Sequence, residues 1–153
     1  MPRERPTLDQ YPFHTSITTR WSDNDVYGHI NNVAYYSYFD TAANLWLIRE
    51  GGLDIARGDV IGVVVESRCE YHAPLAYPAT LLAGVRVDKL GNRAVTYGIA
   101  IFGEHDARAS AHGHFVHVFI HRGTRLPVAI PPKLRDSLAR IQVAPRPEPK
   151  PEP

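Results

Sequence analysis

From Phe13 to Trp21, Phe13, Thr15, Ile17, Thr19 and Trp21 alternate with His14, Ser16, Thr18 and Arg20, the period of two that turns one face of a strand to a core. The pattern then changes. From Asn32 to Glu50 the polar residues Ser37, Asp40, Thr41 and Asn44 fall at i, i+3, i+4 and i+7 in a background of aromatic and aliphatic residues, which predicts a helix with a narrow polar stripe. Asn31 or Asn32 can cap its start, and Gly51-Gly52 ends it. A single flat contact would leave Tyr35, Tyr36, Phe39, Leu45 or Trp46 in water, so the helix calls for a surface wrapped around it.

Strand signals follow at 61–72, 79–90, 93–103 and 108–121, with turns at 91–92 and 104–107. These strands exceed the usual ~5–6 residues, which favours a strongly curved sheet. A short helix at 133–141 is expected on the outside. The fold expected is therefore α+β, a meander of long antiparallel strands curved around one long apolar helix. Residues 1–12 read as an N-terminal extension, 13–142 as one domain and 143–153 as a proline-rich disordered tail.

Composition narrows the function classes. The chain of 153 residues is 44% hydrophobic, enough for one core. With 17 basic and 16 acidic residues its formal charge is +1, so no global field announces a nucleic-acid partner or an anionic membrane. Cys69 is the single cysteine, which excludes an intrachain disulfide and favours a reducing, cytoplasmic setting. The polar start Met1-Pro2-Arg3-Glu4-Arg5-Pro6 does not read as a secretory signal, and no apolar run reaches the roughly 18 residues of a membrane span.

The densest polar cluster lies between the first strand and the helix, at Asp23-Asn24-Asp25-Val26-Tyr27-Gly28-His29-Ile30-Asn31-Asn32. Free amides at a helix start form a donor set for developing negative charge, and a carboxylate nearby can act on a bound electrophile. A calcium loop is a poor fit, because its twelfth position, which needs a bidentate Glu, is Ala34. An ordinary helix entry, with the aspartates bonding nearby amides and Gly28 making the turn, fits the spacing equally well.

The run from Thr19 through this loop to Asp40 resembles the signature of the 4-hydroxybenzoyl-CoA thioesterase family of hotdog proteins. The likeness continues more loosely through Glu70-Tyr71-His72-Ala73-Pro74-Leu75 to Pro131. It implies an acyl-CoA thioesterase of the hotdog fold in which Asp25 acts on the thioester, as base or as nucleophile. It further implies that the Asn32 amide polarises the carbonyl and that Gly28 and His29 shape the turn beside the substrate. The family's dimers, often paired into tetramers, imply a homo-oligomer whose pockets are completed by a second copy. Glu66, Arg68 and Glu70 depart from expectation by charging the second strand.

Tyr35 and Tyr38 are candidates for the acyl pocket, and Arg93 is the first choice among Lys89, Arg93, Arg108 and Arg122 for the phosphates of coenzyme A. Period two sends His112 and His114 to one face of the last strand and His117 and His121 to the other, so the four cannot meet on one metal ion. No metal or cofactor is expected. Two alternatives stand beside the thioesterase: a hotdog dehydratase, for which His29 is the one loop histidine, and a non-catalytic acyl-thioester-binding protein.

Overall fold

The computed structural model describes residues 4–144; most of the expected proline-rich tail, 145–153, lies outside the described residues. The elements run β1 (Phe13–Thr18), α1 (Asn32–Arg49), β2 (Val60–Tyr71), β3 (Thr80–Leu90), β4 (Ala94–Phe102), β5 (Ala111–His121) and α2 (Pro132–Arg140). The five strands form one antiparallel sheet in the order β1-β3-β4-β5-β2. No described helix is long and apolar enough to cross a membrane.

Asn31 caps α1, its side chain accepting from the Val33 amide, and Gly52 lies just beyond the helix end at φ +67. The helix buries Tyr35, Tyr38, Phe39, Ala42, Ala43, Trp46 and Leu47, alternate steps of three and four that make one stripe against Val85, Tyr97, Ile99, Phe115 and Phe119. Contact is therefore one-sided. Of the apolar residues outside the stripe, Val33, Tyr36 and Ile48 remain exposed.

The expected meander holds only for β3, β4 and β5. β2 is not beside β3; it lies at the far edge, paired to β5 from Val60↔His121 to Tyr71↔Ala111. The sheet interior thus separates β2 from β3, and residues 72–79 must return across the end of the sheet. Trp21 also departs from expectation: β1 stops at Thr18, a 3-10 turn begins at Trp21, and its indole is 78% exposed. The last helix exposes most of its residues and sends only Leu134 and Leu138 into the main core. Gly51 makes room there, since a Cβ would stand 2.9 Å from a Leu134 methyl and 2.8 Å from the Leu47 carbonyl.

Before β1 the chain crosses the outer face of the sheet, held by Leu8 N–H to Ala107 and by the Ala109 amide to Pro6. Tyr11 is buried against Phe102, with the Arg86 guanidinium 4.7 Å over its ring.

On the inner face His117 is buried beside Tyr97, and neither its Nδ1 nor the Tyr97 hydroxyl has a partner among the described residues. Burial lowers the His117 pKa from 6.5 to about 4, against a smaller opposing pull from Asp40. The fold prefers the neutral ring, so its contribution is complete above pH 6.5 and is lost as pH falls toward about 4. The full swing is on the order of 3 kcal/mol. His117→Phe should remove about that much of the difference in unfolding free energy between neutral and mildly acid solution, measured by urea titration. An unchanged pH dependence would show that the ring is not buried neutral.

Candidate active site

The loop between β1 and α1 is closed at its base by Asp23. Its carboxylate accepts from the Arg20 backbone amide at 2.9 Å, from the Arg20 guanidinium at 3.1 and 3.2 Å, and from the Tyr38 hydroxyl at 2.7 Å. Its carbonyl accepts from Asn31 N–H at 2.8 Å. Burial by itself would raise the Asp23 pKa, but these donated hydrogen bonds and the Arg20 charge outweigh it and hold the carboxyl below its ordinary value. The partnered Tyr38 phenol is pushed up, by burial first and by Asp23 next.

Beyond Asp23 the chain makes a small hairpin. Asn24 bridges Ile30, the Asp25 amide donates to the His29 carbonyl at 2.9 Å, and Gly28 N–H returns to the Asp25 carbonyl at 3.1 Å. Gly28 sits at φ +81, left-handed backbone that disfavours any side chain even though the space around it is open. The Asp25 carboxylate accepts one hydrogen bond, from Tyr27 N–H to Oδ1 at 2.9 Å. Its Oδ2 has no partner among the described residues. Asp25, Asn24, Trp21, Tyr27, Gly28 and Asn31 line a cavity of about 620 Å³. Its rim is apolar: Tyr27 is 83% and Val26 94% exposed.

The first turn of α1 adjoins this loop. The Asn31 side chain takes the Val33 amide and the Asn31 carbonyl takes the Ala34 amide, which leaves Asn32 N–H without a described partner. Tyr71 of β2 donates its hydroxyl to the Asn32 carbonyl at 3.2 Å. The returning segment supports the loop from behind, with Ile30 N–H to the Leu75 carbonyl at 2.8 Å and Tyr77 N–H to Asn24 Oδ1 at 3.0 Å.

Asp25, Gly28, His29 and Asn32 therefore share one loop and one helix start, with the His29 side chain exposed. Tyr35 lies apart from the cavity, buried with its ring edge-on to Tyr38 and Tyr71. Arg93 stands at the β3–β4 turn, whereas the loop follows Thr18, which pairs with Thr80 at the other end of β3. Within one chain the sheet's length separates them. Sequence reasoning missed Tyr71 and Tyr77, whose roles depend on β2 lying at the far edge. No described group of three or more His, Cys, Asp or Glu side chains is placed to hold a metal ion.

A five-stranded antiparallel sheet packed on one long helix is the architecture of the hotdog thioesterases. The chain belongs to the Thioesterase superfamily, whose family model matches residues 27–110, a span that begins just after Asp25. The crystal structure of the PA5185 protein from Pseudomonas aeruginosa strain PAO1 is similar over 91% of this chain and 97% of that one, with 54% identity and a TM-score of 0.89. Slr0204, a 1,4-dihydroxy-2-naphthoyl-CoA thioesterase from Synechocystis, is 18% identical over 83% of this chain and 95% of that one, with a TM-score of 0.74. BH1999 gentisyl-coenzyme A thioesterase is 19% identical over 82% of this chain and 99% of that one, again at 0.74. At these last identities the likeness is one of fold. A search of curated proteins finds no match.

The two aspartates are held so differently that their removal should be felt differently. Asp23→Ala leaves the buried Tyr38 hydroxyl without an acceptor and should cost about 2–4 kcal/mol in urea unfolding. Asp25→Ala gives up one hydrogen bond in the loop and should cost about 1 kcal/mol or less. Equal losses would show that Asp23 does not clamp the loop.

Proposed function

We propose that this protein hydrolyses an acyl-CoA thioester, with Asp25 as the carboxylate that acts at the thioester carbonyl and the Asn32 amide as a donor to the oxyanion. The observation that carries this is the pairing of an unpartnered Asp25 oxygen, lining an open cavity, with an unpartnered first-turn amide on the adjoining helix start. Carboxylate and donor are the two parts that the chemistry needs.

Thioester hydrolysis tolerates so sparse a site. The leaving thiolate has a parent pKa near ~8.5 by analogy with cysteine and departs with little help from a general acid. Asp25 takes a proton from an attacking water, or attacks the carbonyl to give a mixed anhydride that water then cleaves. In either route charge gathers on the carbonyl oxygen, where a preorganised amide donor is typically worth ~2.7–4 kcal/mol. Gly28 and His29 shape the turn that presents Asp25. No step asks for a metal or cofactor. A dehydratase would require a histidine and an acid held together for α-proton removal, and among the described residues no acid is bonded to the exposed His29 side chain.

The second half of the proposal is a homodimer. β2 is an edge strand carrying exposed Val64, Val65 and Tyr71, and its Tyr71 end meets the first turn of α1, where Val33 and Tyr36 are exposed. A long unpaired edge that exposes two valines invites pairing with an identical edge. Such pairing brings another copy's residues toward the Asp25 cavity, and Arg93 of that copy becomes a candidate for the coenzyme A phosphates. The acyl group in this reading is closed in by both copies.

Asp25→Asn should lower kcat on an acyl-CoA by about 100-fold or more while binding is largely retained, because it removes basicity and nucleophilicity but little volume. Thiol release followed optically across aromatic, short and long acyl-CoA esters measures this. Near-normal turnover would overturn the assignment of Asp25. Light scattering should report a dimer or tetramer, and Val65→Lys should shift it toward monomer, since pairing of the two edges would take the lysine charge out of water.

A further inference from the structure

On the outer face of the sheet His72 and His112 meet across 40 residues of sequence, with His72 Nε2 2.7 Å from His112 Nδ1. Their rings are within 11° of parallel and their centroids are 4.9 Å apart. Parallel rings at van der Waals separation could not bring nitrogens so close, so they meet edge to edge in nearly one plane. One proton lies between them. The register explains the meeting: β2 and β5 pair Glu70 with His112, and His72, two residues further on and bonded to Ser110, returns to the same face diagonal to His112. His112 Nε2 is also 3.3 Å from Glu70 Oε2. A consistent tautomer follows, in which His72 Nε2–H donates to His112 Nδ1 and the proton of His112 sits on Nε2, on the side of Glu70.

His72 is the first residue of the segment that supports the active-site loop. Its amide and that of Ala73 are anchored on the Ser110 carbonyl, at 2.8 and 3.1 Å, and three residues on Leu75 accepts from Ile30. Tyr77 then donates to Asn24 and packs its ring against Trp21. We propose that His72 and His112 form a proton-sensitive latch that positions the Asp25 loop by fixing the origin of this segment. The proposal rests on reading Asp25 as the reacting carboxylate, and it assigns both histidines as positioning residues.

The direction of the switch follows from proton counting. A first added proton is accommodated, because His72 can move its own N–H to Nδ1 and accept from a protonated His112. A second places two N–H groups face to face between two cations, and the latch opens. Among the described residues, the charged groups around His112 are Glu70 and Arg68 from β2 and Arg86 from β3, the last paired with Asp88, while His114 and Glu66 form their own pair alongside. β4 presents only Gly98 and Ala100 at the paired positions. Burial, then His72, lowers the His112 pKa below 6.5, with Arg86 and Arg68 adding to this against Glu70. The closed latch therefore belongs to neutral and alkaline solution and opens on acidification below that value.

Nuclear magnetic resonance of the uniformly isotope-labelled full chain tests the coupling. The ring signals of His72 and His112 should titrate in two linked steps, and the amides of Asp25, Tyr27 and Ile30 should shift with the second. They should not follow His114, the internal control. His112→Asn keeps an acceptor near the Nδ1 position but cannot take a proton, so kcat/KM at about pH 8 should stay within about threefold of wild type. Its acid fall-off should move down by roughly half a pH unit or more. His72→Ala should lower kcat by about tenfold, with KM less affected, because the loop loses its support. Loop amides that ignore the histidine titration, or an unchanged pH profile in a folded His112→Asn, overturn the latch. Should His112→Asn not fold, the wild-type titration decides alone. Coupled loop amides beside a fully active Asp25→Asn would retain the latch and refute the catalytic reading.

Discussion

A buried carboxylate holds this site together. Asp23 receives donors from Arg20 at the end of β1 and from Tyr38 two turns into α1, while its own carbonyl receives Asn31 at the helix cap. Strand, helix and the neck of the loop are tied at one residue. Burying a charge costs several kcal/mol unless donors surround it, and here the donors come from the elements that must be kept in register. With the neck closed, the residues from Asn24 to Ile30 can form a small hairpin without support from a core of their own. Asp25 can then keep one oxygen free at the edge of the cavity.

The fold leaves other apolar surface uncovered. α1 presents one stripe to the sheet and leaves Val33 and Tyr36 in water; β2 offers an unpaired edge with Val64 and Val65 exposed; Trp21, Val26 and Tyr27 crown the loop. Scattered apolar residues on a surface mean little, but a group bordering a candidate cavity points to a surface that is covered in use. In the proposed homodimer a cavity half built by each chain would leave acyl preference unwritten in either half alone.

Much of this was legible in the sequence. The alternation in β1, the long stripe of α1 and the polar cluster between them depend on neighbours within a few turns, and local periodicity reports local geometry well. What was not legible depended on strand order. Nothing in residues 60–71 says that they pair with β5 rather than β3, so the route of residues 72–79 behind the loop, and with it Tyr71, Tyr77 and His72, stayed hidden. The charges at Glu66, Arg68 and Glu70 looked anomalous for the same reason; as an edge strand β2 can turn them outward toward His112 and His114. Trp21 misled by continuing an alternation that the 3-10 turn had already ended. Tyr35 looked like a pocket residue because its spacing along the helix is the same for core and cavity.

The central claim is that the thioester carbonyl reacts between Asp25 and the start of α1. A crystal structure with an acyl-CoA analogue whose thioester sulfur is replaced by a methylene group, leaving an unreactive ketone, tests it most directly. The account predicts the ketone oxygen at hydrogen-bond distance from the Asn32 amide, roughly 2.7–3.1 Å, with Asp25 Oδ2 facing the carbonyl carbon directly or through one ordered water. A ketone bound away from that amide, with Asp25 turned from it, would contradict the account.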